Sequence, residues 1–378
     1  MKKNIRMSNL ELLRIVSILL IISFHFVFKG GYSFGSDFSI NKLIVKTFYM
    51  FGELGVNCFV LITGYFSIKS DFKYKKVFQL AFQVLFYTIL GTIFAKVIGF
   101  YELKTIKEYV TTFFPIIMGE YWYVTAYVML YIFSPYINKL VSTMKKDEYK
   151  KFLLLLLVVY SIIPTFFGAL NNNTEGLLYY NRFIWLIVMY LIGGYIKLYK
   201  IPVLSTSKKS LKIFLISFIT IIFSIIFIDK FEGAFKFIGI TEVAYLWQPN
   251  NIIMLLLSVS LFGVFENLKI KNNKVVNKIS STTLGIYLLH DGILTYWFWR
   301  EVFKNSQYQE SPYLILVILG STFAIFVIGI IIEMIRQLLE RYTITKLLNS
   351  KKFEKTAEKI NNMVYKIFNI NKTSKKNS

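Results

Sequence analysis

The chain has 378 residues, of which 55% are hydrophobic, 18% aromatic and only 17% charged. Its 44 Lys and Arg outnumber 21 Asp and Glu, leaving a formal net charge of +23. Soluble domains carry about 25% charged residues, and a nucleic-acid binder spreads its basic patch over a polar surface. Here the basic residues come in bursts between long apolar runs, which excludes an ordinary soluble enzyme, a disordered chain and a collagen-like one. The single Cys58 leaves no internal disulfide, and no Cys/His spacing resembles a zinc site.

A membrane-spanning helix needs about 20 mostly apolar residues. Ten segments meet that need, which predicts an all-α, polytopic membrane protein: 10–28, 47–67, 77–99, 121–139, 152–170, 182–199, 211–228, 248–265, 280–300 and 312–335. The first follows Lys2, Lys3 and Arg6 and could pass for a signal peptide. It is too long for one, lacks a small-residue cleavage site and contains Arg14 and His25, so it reads as a retained helix. Ionisable residues inside a span are costly and are functional candidates by default. Arg14 and His25 are eleven residues apart, which is about 1100° of rotation, or three turns plus about 20°. They therefore share one helix face, separated along the axis by about 16 Å. Arg14 is either a snorkelling residue reaching the inner headgroups or a cation held for a ligand. His25 is either a packing histidine or a base.

The second segment, FGELGVNCFVLITGYF, supplies Glu53 and Asn57 as an i, i+4 pair. It enters from outside, so Glu53 lies about as deep as His25. Its carboxylate either holds one nitrogen of that imidazole or sits in the outer headgroup zone. Gly55 and Gly64 suit close helix packing. The fourth segment opens with Trp122 and Tyr123 at the outer interface, where aromatic belts gather without any function and where sugar-binding faces also use aromatic rings. Arg182 opens the sixth at the same side. The ninth, STTLGIYLLHD, carries Tyr287 and His290, the second of only two histidines, three residues apart on one face. Asp291 follows and could orient an imidazole only if the backbone turns there. Beyond 340, a basic tail repeats Phe353, Ala357, Ile360, Val364 and Ile367 at helical spacing. It reads either as an amphipathic helix on the inner leaflet or as a solvated tail.

With both termini in the cytoplasm, 32 of the 44 basic residues fall in the inner loops and inner helix ends, 11 in the outer loops and outer helix ends, and Arg14 remains, inside the first span. Every inner loop is basic, and a missed helix would invert the pattern downstream. The expected organisation is one membrane domain over 1–340 and a cytoplasmic tail over 341–378. No internal repeat stands out, which weakens an inverted-repeat transporter reading.

Over roughly residues 8–335 the chain resembles the bacterial membrane-bound acyltransferase 3 family. Its most specific feature is a basic residue, ten intervening residues and a histidine in the first helix, matched by Arg14 and His25. SNLELLR resembles the lead-in of capsule-modifying members. GVNCFVLITGYF is similar to the family's second-helix pattern at Gly55, Phe59, Gly64 and Tyr65, with Thr63 where many members have serine. YWYVTAYVMLYIFSP and STTLGIYLLHD resemble its Trp-aromatic segment and its late helix.

The resemblance implies an O-acyltransferase of the cell membrane. It would move an acyl group, by default acetyl, from cytoplasmic acetyl-CoA to a surface glycan such as capsular or exopolysaccharide, or to a lipid-linked glycan. In that reading His25 and Arg14 are catalytic, Arg14 also holding the donor's phosphates, and Glu53 orients His25. Trp122, Tyr123, Arg182, Tyr287 and His290 contact substrate. No bound cofactor, metal or nucleic acid is expected. Direct transfer with His25 as base and transfer through an acyl-histidine both remain open. The competing class is a lipid-linked glycan flippase or another transporter of the same pathway. A purely structural membrane subunit would need neither Arg14 nor His25.

Overall fold

The computed structural model describes residues 6–35, 38–167, 181–237 and 248–367. Lys2 and Lys3, the last residues of the fifth expected segment and the tail beyond 367 lie outside the described residues. So do residues 238–247 and the side chains of Val364 and Ile367. Among the described residues the fold is helical and holds no strand.

The chain begins with α1 (Ser8–Phe28), α2 (Ile40–Ser67) and α3 (Tyr74–Val97). Two short helices, α4 (Ile106–Phe113) and α5 (Pro115–Met118), lead into α6 (Trp122–Ser142). Helix α7 (Lys146–Leu157) runs through a π turn (Val158–Ile162) into α8 (Ile163–Phe167). Then come α9 (Arg182–Tyr199), α10 (Ser207–Lys230), the short α11 (Glu232–Phe237) and α12 (Ile252–Glu266). Helix α13 (Lys274–Ser280) follows, and the ninth expected segment is α14 (Thr283–His290) and a π turn (Trp297–Val302). The chain closes with α15 (Leu314–Tyr342), α16 (Ile344–Leu348) and α17 (Lys351–Ile367).

All ten expected segments map onto helix. By length and composition, seven helices can cross a membrane: α1, α2, α3, the composite Lys146–Phe167, α9, α10 and α15. The other three fall short for separate reasons. Helix α6 is long enough, but its Tyr, Thr, Ser and Asn residues and the internal Pro135 lower its hydropathy. Helix α12 is apolar but has only 15 residues. The segment expected over 280–300 is one helix broken into pieces. Helix α2 starts seven residues earlier than expected. The Ser39 side chain caps it by accepting from the Lys42 amide, and Asp229 of α10 neutralises the added charges, lying 2.8 Å from Lys42 Nζ and 2.5 Å from Lys46 Nζ.

The helix ends collect at two levels. At one, Asn9 Nδ2 donates to the carbonyls of Phe265 and Glu266 at 3.0 Å, and Asn138 Nδ2 donates to Ser67 at 2.8 Å. At the other, Asn305 Nδ2 donates to the Phe26 carbonyl at 2.8 Å, and the Ile252 amide donates to Thr165 Oγ1 at 2.9 Å. The first is the basic end, where Arg6, Lys73, Lys146 and Lys274 lie; the second is the far end. Successive helical runs alternate in direction between them. Helix α1 packs along α2 and also against α12, α14 and α15, so it is surrounded on most sides. Helix α2 is clasped in turn by α9.

That clasp depends on two glycines. A Cβ on Gly64 would strike the Tyr190 carbonyl oxygen of α9, and one on Gly193 of α9 would strike the Leu61 carbonyl of α2. The two backbones therefore touch, as small residues permit between helices in lipid. Gly64→Ala is expected to push the helices apart at a cost of about 2 kcal/mol, read as a lower melting temperature of the detergent-solubilised protein. Asn57, paired with Glu53 by spacing alone, belongs to this scaffold. It accepts from Trp185 Nε1 at 2.9 Å and donates to Pro249 O and Ser258 Oγ at 3.0 and 3.1 Å. The tail does form a helix, α17, whose Phe353 ring packs 5.3 Å from Phe78 of α3.

Candidate active site

His25 lies one turn before the end of α1, 6% exposed, with both ring nitrogens engaged. Its Nδ1 is 3.0 Å from Nε2 of His290, and the Nδ1 of His290 is 2.6 Å from the Ile286 carbonyl oxygen. A carbonyl oxygen only accepts, so His290 carries its proton on Nδ1. The Nε2 of a neutral His290 is then an acceptor, and His25 must donate to it from Nδ1. The remaining nitrogen, His25 Nε2, is left with its lone pair, and 3.3 Å away stands Asp291 Oδ1. With His290 neutral, the His25 proton sits on Nδ1 and Nε2 is its basic nitrogen; Asp291 Oδ1, itself an acceptor, faces Nε2 favourably once that nitrogen is protonated.

The break in the ninth segment produces this arrangement. Helix α14 stops at His290, and Asp291 leaves it at φ −109°, ψ 10°. The next residue is Gly292, where a Cβ would come 2.5 Å from Tyr121 Oη of the connection before α6. No side chain fits there, so the chain can turn beneath Tyr121 and carry the Asp291 carboxylate around to His25. His290 itself is fully buried, between His25 and the Trp299 ring at 6.3 Å.

His25 and Asp291 line a chamber of about 900 Å³ between α1, α2, α6 and α14. Arg14 lines it as well, so the eleven-residue spacing does put both side chains on one interior face. Arg14 faces this chamber, its nearest acid being Glu11 at 3.8 Å and its nearest ring Phe66 at 6.0 Å. Glu11 also accepts a hydrogen bond from the Ser280 hydroxyl. Thr63 and Tyr127 complete the wall near Arg14, and Gly55 brings α1 close, its Cβ position lying 2.7 Å from the Ser17 carbonyl.

Toward the far end the chamber is lined by Glu53, Trp122, Tyr123, Lys29 and Arg182. The Arg182 guanidinium stacks 4.6 Å above the Trp122 ring, so a cation and an aromatic face form one platform. Glu53 Oε2 is buried without a hydrogen-bond partner, an expensive condition that a bound donor group would relieve. Tyr287 contributes its ring, 6.5 Å from that of His25.

Seven of the eight residues singled out from the sequence meet in this chamber: Arg14, His25, Glu53, Trp122, Tyr123, Arg182 and Tyr287. His290 does not line it; it stands behind His25 as the partner of Nδ1. Glu53 is not hydrogen-bonded to His25, whose polar neighbours are instead His290 and Asp291. Asp291 was visible beside His290 in the sequence, and the glycine after it was the signal that the helix would stop there.

The family model for the acyltransferase domain, acyltransferase family 3, matches residues 7–333 of the chain. No curated protein and no solved structure matches it.

Proposed function

The chain belongs to the acyltransferase 3 family, and from that premise we propose that this multi-pass membrane protein O-acetylates a cell-surface glycan with cytoplasmic acetyl-CoA. The observation that carries the reading is His25 Nε2, a tautomer-fixed base in a chamber with a cation toward one end and a cation–aromatic platform toward the other. The topology that goes with it has ten crossings of the cell membrane, with the basic end in the cytoplasm. Helix α17 then lies against the inner leaflet, where anionic lipid attracts its lysines. The acceptor reaches the chamber from the far end, past Trp122 and Arg182.

In the reaction, His25 Nε2 takes the proton of an acceptor hydroxyl as its oxygen attacks the thioester carbonyl. The new C–O bond forms, the C–S bond breaks, and the leaving thiolate takes the proton back from the imidazolium. The products are the ester and CoA thiol, and His25 returns to its starting tautomer. A single chamber lined from both ends favours this direct transfer, since donor and acceptor can occupy it together. Arg14, about 16 Å along the same helix face, stands where the diphosphate of an extended CoA arm would pass. Asp291, 3.3 Å from Nε2, stabilises the imidazolium during transfer.

The experiment that tests the reading is NMR of the purified surface polysaccharide with and without the protein. Deletion is expected to leave the polymer in place and remove its acetyl esters. Loss of the polymer itself would favour the flippase. A second expectation concerns Glu53, whose free carboxylate oxygen suits an acceptor hydroxyl. Glu53→Gln is expected to raise the acceptor KM by about 10- to 100-fold, the worth of a hydrogen bond to a charged group, while the acetyl-CoA KM stays the same. An equal change in both KM values would remove Glu53 from the acceptor side.

A further inference from the structure

A second cavity, of about 980 Å³, lies at the basic end. Its wall carries Arg6, Lys76, Lys274, Lys278, Arg336 and Arg341 against only Glu333 and Glu340. Loop lysines at this end follow from topology alone, but these line a concavity instead of an open surface. The cavity also shares Leu80, Tyr127 and Leu284 with the reaction chamber, so the two spaces are adjacent.

The charges in this vestibule are not equivalent. Arg336 is taken up by Glu333, with both contacts at 2.8 Å, and by Glu340 at 2.8 Å. Lys278 is held by Gln337 Oε1 at 2.7 Å and Arg6 by the Asn277 carbonyl at 3.0 Å, both neutral acceptors that position the cation without cancelling it. Lys274 and Arg341 have no acidic partner among the described residues. The result is a surplus of positive charge lining one concavity. Arg6 lies two residues before α1, on the far side of Arg14 from His25, and Lys278 lies in α13, the helix before the one that ends at His290.

Resting on the acyl-CoA reading above, we propose that this vestibule is a subsite for the ribose 3′-phosphate of the donor, read chiefly by Lys274 and Lys278. A CoA thioester is linear: acyl group, apolar arm, diphosphate, then the phosphorylated nucleoside. With the thioester at His25, the arm passes Leu80, Tyr127 and Leu284, and the diphosphate meets Arg14. The 3′-phosphate then falls beyond Arg14, in the concavity lined by that surplus of cations. Arg14 and the vestibule thus recognise different phosphates of one molecule.

The two roles separate in equilibrium binding of acetyl-CoA and acetyl-dephospho-CoA, which lacks only the 3′-phosphate, to the full chain in lipid nanodiscs. The unaltered protein is expected to bind acetyl-CoA about tenfold tighter, as charge-assisted bonds to one phosphate would give. Lys274→Ala with Lys278→Ala should bring the two affinities together by weakening acetyl-CoA alone, and the retained dephospho-CoA affinity reports an intact fold. Lys274→Arg with Lys278→Arg should keep the preference. Arg14→Ala should weaken both donors by the same factor. Equal affinity for the two donors in the unaltered protein, a preference that survives the alanine pair, or an alanine pair that loses both donors alike overturns the proposal. Surface esters are read separately. If the preference behaves as expected but deletion leaves those esters unchanged, the subsite stands and the acceptor reading falls.

Discussion

His25→Ala is expected to lower acetyl transfer by about 10³-fold, within the range general-base catalysis contributes, and to leave the surface polysaccharide without detectable ester. The expectation rests on one nitrogen. His25 Nδ1 is committed to His290, so Nε2 is the one nitrogen of the pair left with a lone pair, on a residue that lines the chamber. Alanine removes that atom and leaves Asp291 as the nearest group, a carboxylate 3.3 Å from the vacated Nε2 position. A carboxylate is a much weaker base. The fold should tolerate the change. His25 contributes no backbone-satisfying bond, and α1 is held at its two ends by Asn9 and by Asn305 on the Phe26 carbonyl. Membrane levels of the variant, measured by immunoblot, should therefore match those of the unaltered protein. Full acetylation by this variant would end the catalytic assignment. Absence of the protein from the membrane would mean that His25 holds the fold.

Arg14 and His25 were legible from the sequence because one continuous helix fixes their relation. Eleven residues of unbroken α1 leave little freedom in either angle or distance. The same holds for Trp122, Tyr123 and Arg182, which stand at the starts of α6 and α9 and so at the mouth of the chamber. What could not be read was any relation between helices. Glu53 and His25 lie at similar depth, and depth alone suggested a bond. The rotation of α2 against α1, set by the Gly55 contact with Ser17, instead turns Glu53 into the chamber without a partner. The histidine pair spans 265 positions, and no local pattern encodes it. The length-and-apolarity rule assumes one straight helix per crossing. The ninth segment breaks that rule because it must stop at His290 for Asp291 to turn toward His25. The vestibule lysines carried a signal that was read correctly for topology. Their second relation, to one another around a cavity, appears only once α3, α13 and α15 are brought together.

Replacing His290 separates a positioning role from a packing one. His290 is fully buried and touches no space that a substrate could enter, so it acts through His25. Without its Nε2 acceptor, the Nδ1–H of His25 is buried and unpaired, and moving the proton to Nε2 becomes the cheaper state. That tautomer presents N–H to the acceptor hydroxyl and cannot take its proton. His290→Leu fills the space with an apolar side chain and is expected to lower kcat by about 10²–10³-fold, comparable to the cost of a wrong tautomer at other histidine bases. The KM values for donor and acceptor should not move, because neither touches His290. His290→Gln restores an acceptor, its amide oxygen, near the position of Nε2, and is expected to recover activity to within about tenfold of the unaltered protein. A residue needed only for packing would give the reverse order, since leucine suits a buried site between His25 and Trp299 better than an amide does. Equal losses in the two variants, or a loss expressed in KM, would therefore remove His290 from the relay. Rescue by glutamine with unchanged KM would identify the hydrogen bond, and not the ring, as what His290 supplies to His25.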